Sequence, residues 1–340
     1  MHAIRFGIDL AKSVFQVHGV AACGEVVVRR QLRRGQLLKV FARQAPALIG
    51  MEACGSAHYW ARALVELGHE VRLMPPTYVR PYVKRGKNDA RDAEAICEAV
   101  GRPTMRFVPI KSIDQQCERA LHRSRDLLVR QRTQLSNSIR GLLYEMGLVE
   151  TKGCGGIAAL VARIEAADAA IPRGLLASLR PLAEQWRAVG ADVGRLDEEI
   201  GERVRIDPVA RRLMKIPGVG PISAHAVVCA IGDGRQFASA RDFAAWVGLT
   251  RKNHDTGGKA RRTGHITKAG DRVLRRLLVL GASSWLRRVR VKPERGSRWV
   301  LGVLARRPVR VAVVAQAAKT ARIIWAMLRS GQDYRAPAAA

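Results

Sequence analysis

Four acidic residues stand where acids are costly or where acids could work together. Asp9 sits inside the apolar run Ile4, Phe6, Ile8, Leu10, which reads as a buried strand, and a bare carboxylate is expensive to bury unless it is paired or bound to a cation. Glu52 closes the apolar stretch "ALIGME" at 47–52. Asp89 and Asp92 are three residues apart in "NDARDAEAICEAVG", hence on one face of a helix. Taken singly, Asp9 could be a turn residue, Glu52 a cap for the helix after it, and Asp89 an N-cap. Taken together, acids from two strands and one helix could hold one or two Mg²⁺ ions, whose hard-oxygen preference is met by carboxylates and phosphate oxygens. That is the two-metal arrangement of nucleases and polymerases, in an RNase H-like order.

The elements needed to position these acids can be read along the chain. Residues 4–10, 14–20 and 25–31 form three short strands joined by turns at 11–13 and 22–24, and 35–44 reads as a helix. The fourth strand is 47–52. "SAHYWARALVELGHEVRLM" is a helix, a stop at Gly68, and a fifth strand at 70–74. A helix over 89–100 follows. A three-strand meander followed by alternating helix and strand predicts a mixed sheet with helices on its faces.

The middle of the chain changes character. Leu121, Leu128, Leu135 and Leu142 recur every seven residues, and Leu182, Trp186, Val189, Val193, Leu196 and Ile200 follow a 4-3-4-3-4 spacing. Both are coiled-coil-like stripes. The glycine-rich "TKGCGGIAA" at 151–159 reads as the joint of a long antiparallel hairpin, whose stripes serve core packing or an oligomer contact equally well. From Asp207 a third unit begins. Its segment "MKIPGVGPISAHAVVCAIG" (214–232) sets Pro217, Gly218, Gly220 and Pro221 between apolar segments. It reads as a helix-hairpin-helix-like turn whose backbone N–H groups could approach a phosphate, or as a plain tight turn.

The 340 residues carry 59 Lys+Arg against 29 Asp+Glu, a net charge of +30. Such an excess points to a polyanion, nucleic acid first. From 251 to 310 there are 18 basic residues and three acids, Asp255, Asp271 and Glu294. No apolar run reads as long enough to span a bilayer, and the N-terminus lacks the layout of a signal peptide. The six cysteines include no CxxC pair, which argues against zinc and against a disulfide framework and fits a reducing cytoplasm.

The motifs "GIDLAK", "GMEACGSAHYWARAL", "KNDARDAEAI", "IPGVGPISA" and "FAAWVGLTRKNHDTGGKARRTGHITKAGDRVLRRLLV" together resemble the "IS one-ten" family of insertion-sequence transposases. The resemblance covers about 4–330. It implies a RuvC-like (RNase H fold) DEDD domain over 1–110, a coiled-coil helical hairpin over 111–206, a mainly helical C-terminal transposase domain over 207–330, and a disordered tail over 331–340. On these positions the DEDD tetrad is Asp9, Glu52, Asp89 and Asp92, which would hold Mg²⁺. The family's nucleophile is typically a serine before a glycine in the segment after "GLT". Here Thr256, followed by Gly257, stands at that position, and a threonine hydroxyl can attack if activated. The resemblance further implies a covalent protein–DNA intermediate and a composite centre built across subunits of a homo-oligomer, dimer or tetramer. It also implies a structured non-coding guide RNA that pairs with donor and target DNA, and action on the bacterial nucleoid. Gly218, Gly220, Lys259, Arg261, Arg262, Lys268, Arg272, Arg275 and Arg276 are the expected nucleic-acid contacts. Two other readings stay open: a metal-dependent junction resolvase-like nuclease in which water attacks, and a non-catalytic nucleic-acid-binding protein.

Overall fold

The computed structural model describes residues 3–84, 88–256 and 259–336, with side chains throughout those ranges except 253–264. The chain divides into two compact units, 1–116 and 117–340.

The first unit is built on a five-stranded sheet. Its strands are β1 (Arg5–Leu10), β2 (Val14–Val20), β3 (Val26–Arg33), β4 (Leu48–Glu52) and β5 (Glu70–Met74), in the order β3-β2-β1-β4-β5. The meander pairs antiparallel, while β1–β4 and β4–β5 are parallel. The parallel pairs require crossovers: α1 (Leu37–Phe41) leads into β4 and α2 (Ala57–Glu66) into β5. The short α3 (Pro76–Val79) and then α4 (Asp89–Val100) follow. One sheet face packs Phe6, Ile8, Phe15, Ile49 and Met51 with Phe41, Trp60 and Leu64, and on the other Ile96 and Val100 of α4 pack with Met74 and Val79.

The helix expected over 35–44 is shorter. A 3₁₀ turn, Arg34–Gln36, precedes α1, which ends at Phe41, and Arg43 N and Gln44 N then donate to Val40 O and Phe41 O three residues back, so the chain leaves the helix in tighter turns. The turn after α2 places Gly68 at φ +89°, a left-handed conformation that glycine reaches without Cβ strain.

In the second unit α5 (Ile113–Tyr144), whose first residues belong to the first unit, α6 (Cys154–Glu165) and α7 (Arg173–Ile206) come first. The pairs along α5 and α7 run in opposite directions. Trp186 Nε1 donates to Ser136 Oγ at 2.9 Å, Arg125 NH2 donates to Asp197 at 3.0 Å, and Arg203 pairs with Glu118, which is the antiparallel arrangement expected. The joint differs from expectation. Residues 154–159 are helical, because Ile157, Leu160, Val161 and Ile164 form a buried stripe that outweighs the glycines' poor propensity. That stripe packs with Ile139, Leu143, Leu179 and Trp186 as a three-helix cluster. The seven-residue leucine stripe drifts off the interface: Leu135 packs against the cluster, but Leu142 is exposed and Leu143 is buried instead. A straight helix turns by about 20° per heptad relative to a strict seven-residue repeat.

Next come α8 (Pro208–Leu213), α9 (Pro221–Ile231), α10 (Ala240–Trp246), the ribbon β6 (Arg251–Thr256) and β7 (Lys259–Ile266), α11 (Arg272–Val291), α12 (Arg298–Arg306) and α13 (Val309–Ser330). Their core joins Leu213, Val227, Phe243, Leu278, Ala317 and Ile324. The expectation that no apolar run could span a bilayer fails at α13, which by length and composition could cross one. Its Ala312, Ala317, Ala321, Ile324 and Met327 are buried in this core. After α13, Arg212 NH1 donates to Gly331 O at 2.7 Å and Lys215 pairs with Asp333 at 2.5 Å; residues 337–340 of the expected tail lie outside the described ones.

Candidate active site

The register of β1 on β4 pairs Gly7 with Gly50 and Ile8 with Met51. Asp9 and Glu52 are the next positions along the two neighbouring strands. Side chains alternate across a strand, so both acids share the face on which Gly7 and Gly50 lie. That face is covered by α4. A Cβ at Gly7 would stand 2.1 Å from Ala93 O and 2.3 Å from Cys97 N, and one at Gly50 would stand 2.7 Å from Val100 Cβ. The two glycines let the helix backbone lie directly on the sheet. Neither was singled out in the sequence, although a glycine inside a strand commonly marks a close backbone approach.

The N-terminus of α4 is fixed by Asn88, whose side chain accepts from Ala90 N at 3.0 Å. Asp89 is the first residue of the helix and Asp92 follows one turn on, at the end where the helix dipole favours carboxylates. As a result, oxygens of Asp9, Asp89 and Asp92 lie within 4.8 Å of one another. Glu52 is not part of that tightest group, but it feels two of its members. Burial, then Asp9 and Asp92, raise the Glu52 carboxyl above its ordinary value. Burial is also the first cause at Asp9, followed by Asp92 and Asp89. Asp9, Glu52 and Asp92 are half-buried and Asp89 is exposed. The raised carboxyls of Asp9 and Glu52 are held near the other acids by the fold against that repulsion, and a cation would relieve it. An all-carboxylate donor set suits a hard divalent ion, so these residues fit the metal that the motif implies.

The other expected site residues belong to the second unit. Thr256 ends β6 and its backbone pairs with Lys259 in β7. Its side chain, with those of Lys259, Arg261 and Arg262, lies outside the described ones, as does Gly257 altogether. Lys268 and Arg272 are exposed. Arg275 NH1 donates to Val247 O at 2.9 Å and to Ala269 O at 2.7 Å, tying α11 to the turn that precedes it. Arg276 forms an ion pair with Asp126. Gly218 adopts φ +85° and packs on α11, where an added Cβ would meet Gly281 O at 2.7 Å. Gly220 is the N-cap of α9, and an added Cβ there would meet open space.

Residues 210–298 match the family described as "Transposase IS116/IS110/IS902 family", and residues 6–147 match the DEDD model of IS110 elements, described as "Transposase". A Pseudomonas aeruginosa protein named "Probable family 20 transposase" is 50% identical over 98% of this chain and 99% of its own length. The "Transposase for insertion sequence element IS1328" of Yersinia enterocolitica is 39% identical, covering 96% of this chain and 97% of its own. The "Transposase for insertion sequence element IS1111A" of Coxiella burnetii is 38% identical, covering 97% and 90% respectively.

Proposed function

This chain belongs to the IS116/IS110/IS902 family of transposases, and we propose that it cleaves and rejoins DNA through a covalent Thr256–phosphodiester intermediate and holds Mg²⁺ at Asp9, Glu52, Asp89 and Asp92. The observation that carries the metal reading is the gathering of three carboxylates within 4.8 Å in a chain of net charge +30. A strongly basic protein that binds DNA phosphates has every electrostatic reason to disperse acids from its DNA-facing surface, and here they are concentrated. The strand order β3-β2-β1-β4-β5, with an antiparallel meander and two parallel additions, supports the RNase H-like, RuvC-like reading of the first unit. Mg²⁺ bound there would neutralise charge on a phosphodiester oxygen.

The chain's own residues carry the rest. Asp9 and Glu52, on adjacent rigid strands, and Asp89 and Asp92, on the first turn of α4, hold the ion. The Thr256 hydroxyl attacks phosphorus. Its oxygen forms the new P–O bond, its proton is given up, and the displaced deoxyribose oxygen leaves and takes a proton. Rejoining reverses the order on a second strand. Gly220, Lys259, Arg261, Arg262, Lys268 and Arg272 hold the nucleic-acid backbone. Gly218, Arg275 and Arg276 act beneath them by shaping the turns and α11. A structured guide RNA selects donor and target by base pairing, and the working form is a homo-oligomer.

Three variants at one position test the chemistry. Thr256→Ser should retain the covalent adduct on denaturing gels with end-labelled DNA. Thr256→Ala and Thr256→Val should lose it while DNA binding persists. An adduct of normal yield in the valine variant would rule out Thr256 as the attacking residue. Metal-dependent nicking with no adduct in any form of the protein would favour water as nucleophile.

A further inference from the structure

A second cluster of ligand-type side chains lies in the second unit, outside every residue assigned above. His225 and Cys229 are one turn apart on the same face of α9, and His122 meets them from α5. The three are 5%, 7% and 7% exposed, respectively His225, Cys229 and His122. His122 Nε2 is 2.9 Å from His225 Nδ1, Cys229 Sγ is 3.6 Å from the same Nδ1, and all three donor atoms lie within 4.8 Å of one another. Zinc–nitrogen bonds of about 2.0–2.1 Å and zinc–sulfur bonds of about 2.3 Å place tetrahedral ligands roughly 3.3–3.8 Å apart, so only small side-chain shifts separate this arrangement from a coordinated one.

The surroundings are those of a supported ligand set. His225 Nδ1 faces His122, its Nε2 lies 3.2 Å from Glu118 Oε2, and Cys229 Sγ is nearly equidistant from the two ring nitrogens, at 3.6 and 3.7 Å. Glu118 is held in turn through Oε1 by Arg203. A carboxylate behind an imidazole fixes its tautomer and its orientation toward an ion. His122 and Cys229 also line a cavity of about 260 Å³ together with Arg119, Arg123, Arg272 and Asp271, whose carboxylate pairs with Arg119 at 3.1 Å.

We propose that His122, His225 and Cys229 form a transition-metal site, with Zn²⁺ the ion of best fit and the fourth position open to the arginine-lined cavity. Two nitrogens and a sulfur suit a borderline-soft ion and not the hard ion of the carboxylate cluster. Burial pushes the Cys229 thiol up to about 12, so coordination must release its proton. An open position facing this cavity would accept water.

Cobalt distinguishes this site from the carboxylates, because only a thiolate ligand gives a sulfur-to-cobalt charge-transfer band. The full chain, stripped of metal by chelation, is titrated with Co²⁺ and then with Zn²⁺. One equivalent should produce the near-ultraviolet charge-transfer band with the visible bands of a four-coordinate ion, and Zn²⁺ should displace both. Cys229→Ser should lose the charge-transfer band, although five other cysteines remain. Glu118→Gln should keep the band but weaken cobalt binding about 10–100-fold. The Asp9→Ala, Asp92→Ala double variant should leave the signal unchanged. Absence of the band in the wild-type chain at stoichiometric cobalt would overturn the proposal and leave a hydrogen-bonded histidine pair. Persistence of the band in Cys229→Ser would also overturn it. If Cys229→Ser fails to fold, the wild-type titration and Glu118→Gln decide.

Discussion

In the first unit, four acids from two strands and the start of α4 are gathered half-exposed, and burial and the neighbouring acids raise the carboxyls of Asp9 and Glu52; in the second, two imidazoles and a thiol are gathered out of water. The first cluster is electrostatically unsatisfied by itself. Its members repel, and the fold holds them together only because α4 is seated on β1 and β4 through Gly7 and Gly50. The second carries no such repulsion. His122 and His225 are within hydrogen-bond distance, and Glu118 completes the chain. Carboxylates packed this closely mark a candidate cation site by their charge alone, whereas a neutral cluster must be identified by donor type and the groups behind it. Burial drives both sets of shifts, and it acts with opposite sign because it disfavours the charged form: carboxylates rise and imidazoles fall.

The comparison breaks most visibly at the acids. Asp9→Ala, Glu52→Ala or Asp92→Ala should each cut recombination by more than about 10²-fold, the scale of losing one charge-stabilising group, with circular dichroism unchanged. Full activity in any two of the three would remove the metal-site assignment. Asp9→Asn carries a stability signature as well. The Asp9 carboxyl is raised in the folded protein, so the native state binds its proton more tightly than the unfolded chain. Stability therefore declines as pH rises from the ordinary aspartate range through the raised value. In metal-free protein the melting temperature of Asp9→Asn should match the wild type at acid pH and exceed it increasingly as pH rises. Added Mg²⁺ should stabilise the wild type and leave the variant nearly unmoved. Equal melting curves at every pH would mean that the repulsion is not felt.

A smaller effect tests the packing that gathers the acids. Gly7→Ala puts a Cβ against the Ala93 carbonyl, which is helix backbone and cannot swing aside. It should destabilise by about 1–3 kcal/mol or more in denaturant titrations and weaken Mg²⁺-induced stabilisation, because α4 must lift from the sheet. A neutral Gly7→Ala would show that α4 does not need that contact. The smallest effect lies at the other unit's glycines. Gly194 is exposed on α7 and an added Cβ there would meet open space. Gly194→Ala should therefore stabilise by about 0.5–1 kcal/mol through helix propensity alone. A loss of stability there would point to a contact of that face with another molecule, such as a second copy of the chain.

Period and punctuation along the chain were enough to read the five strands, the helix over 89–100, the helix stop at Gly68 and the antiparallel course of α5 and α7. Alternation in strands, apolar spacing in helices and glycine at positive φ are local consequences of backbone geometry. The chemical identity of the four acids and the basic excess after 251 were equally legible, since charge and ligand type belong to the residue itself. Local reading misled where packing outweighed propensity. Glycines at 153, 155 and 156 read as a joint, yet the buried stripe from Ile157 to Ile164 makes most of that stretch a helix. The apolar length of α13 became informative only with a core for it to enter. Cysteine spacing, read for CxxC pairs, registers only ligands that are neighbours in sequence and is silent about a cluster such as His122, His225 and Cys229. His122 is 103 residues from His225, and nothing in the intervening chain marks them as partners. Only the pairing of β1 with β4, the seating of α4 and the crossing of α5 over α9 decide which side chains share a few ångströms, because those distances are set by contacts between elements that the chain does not encode side by side.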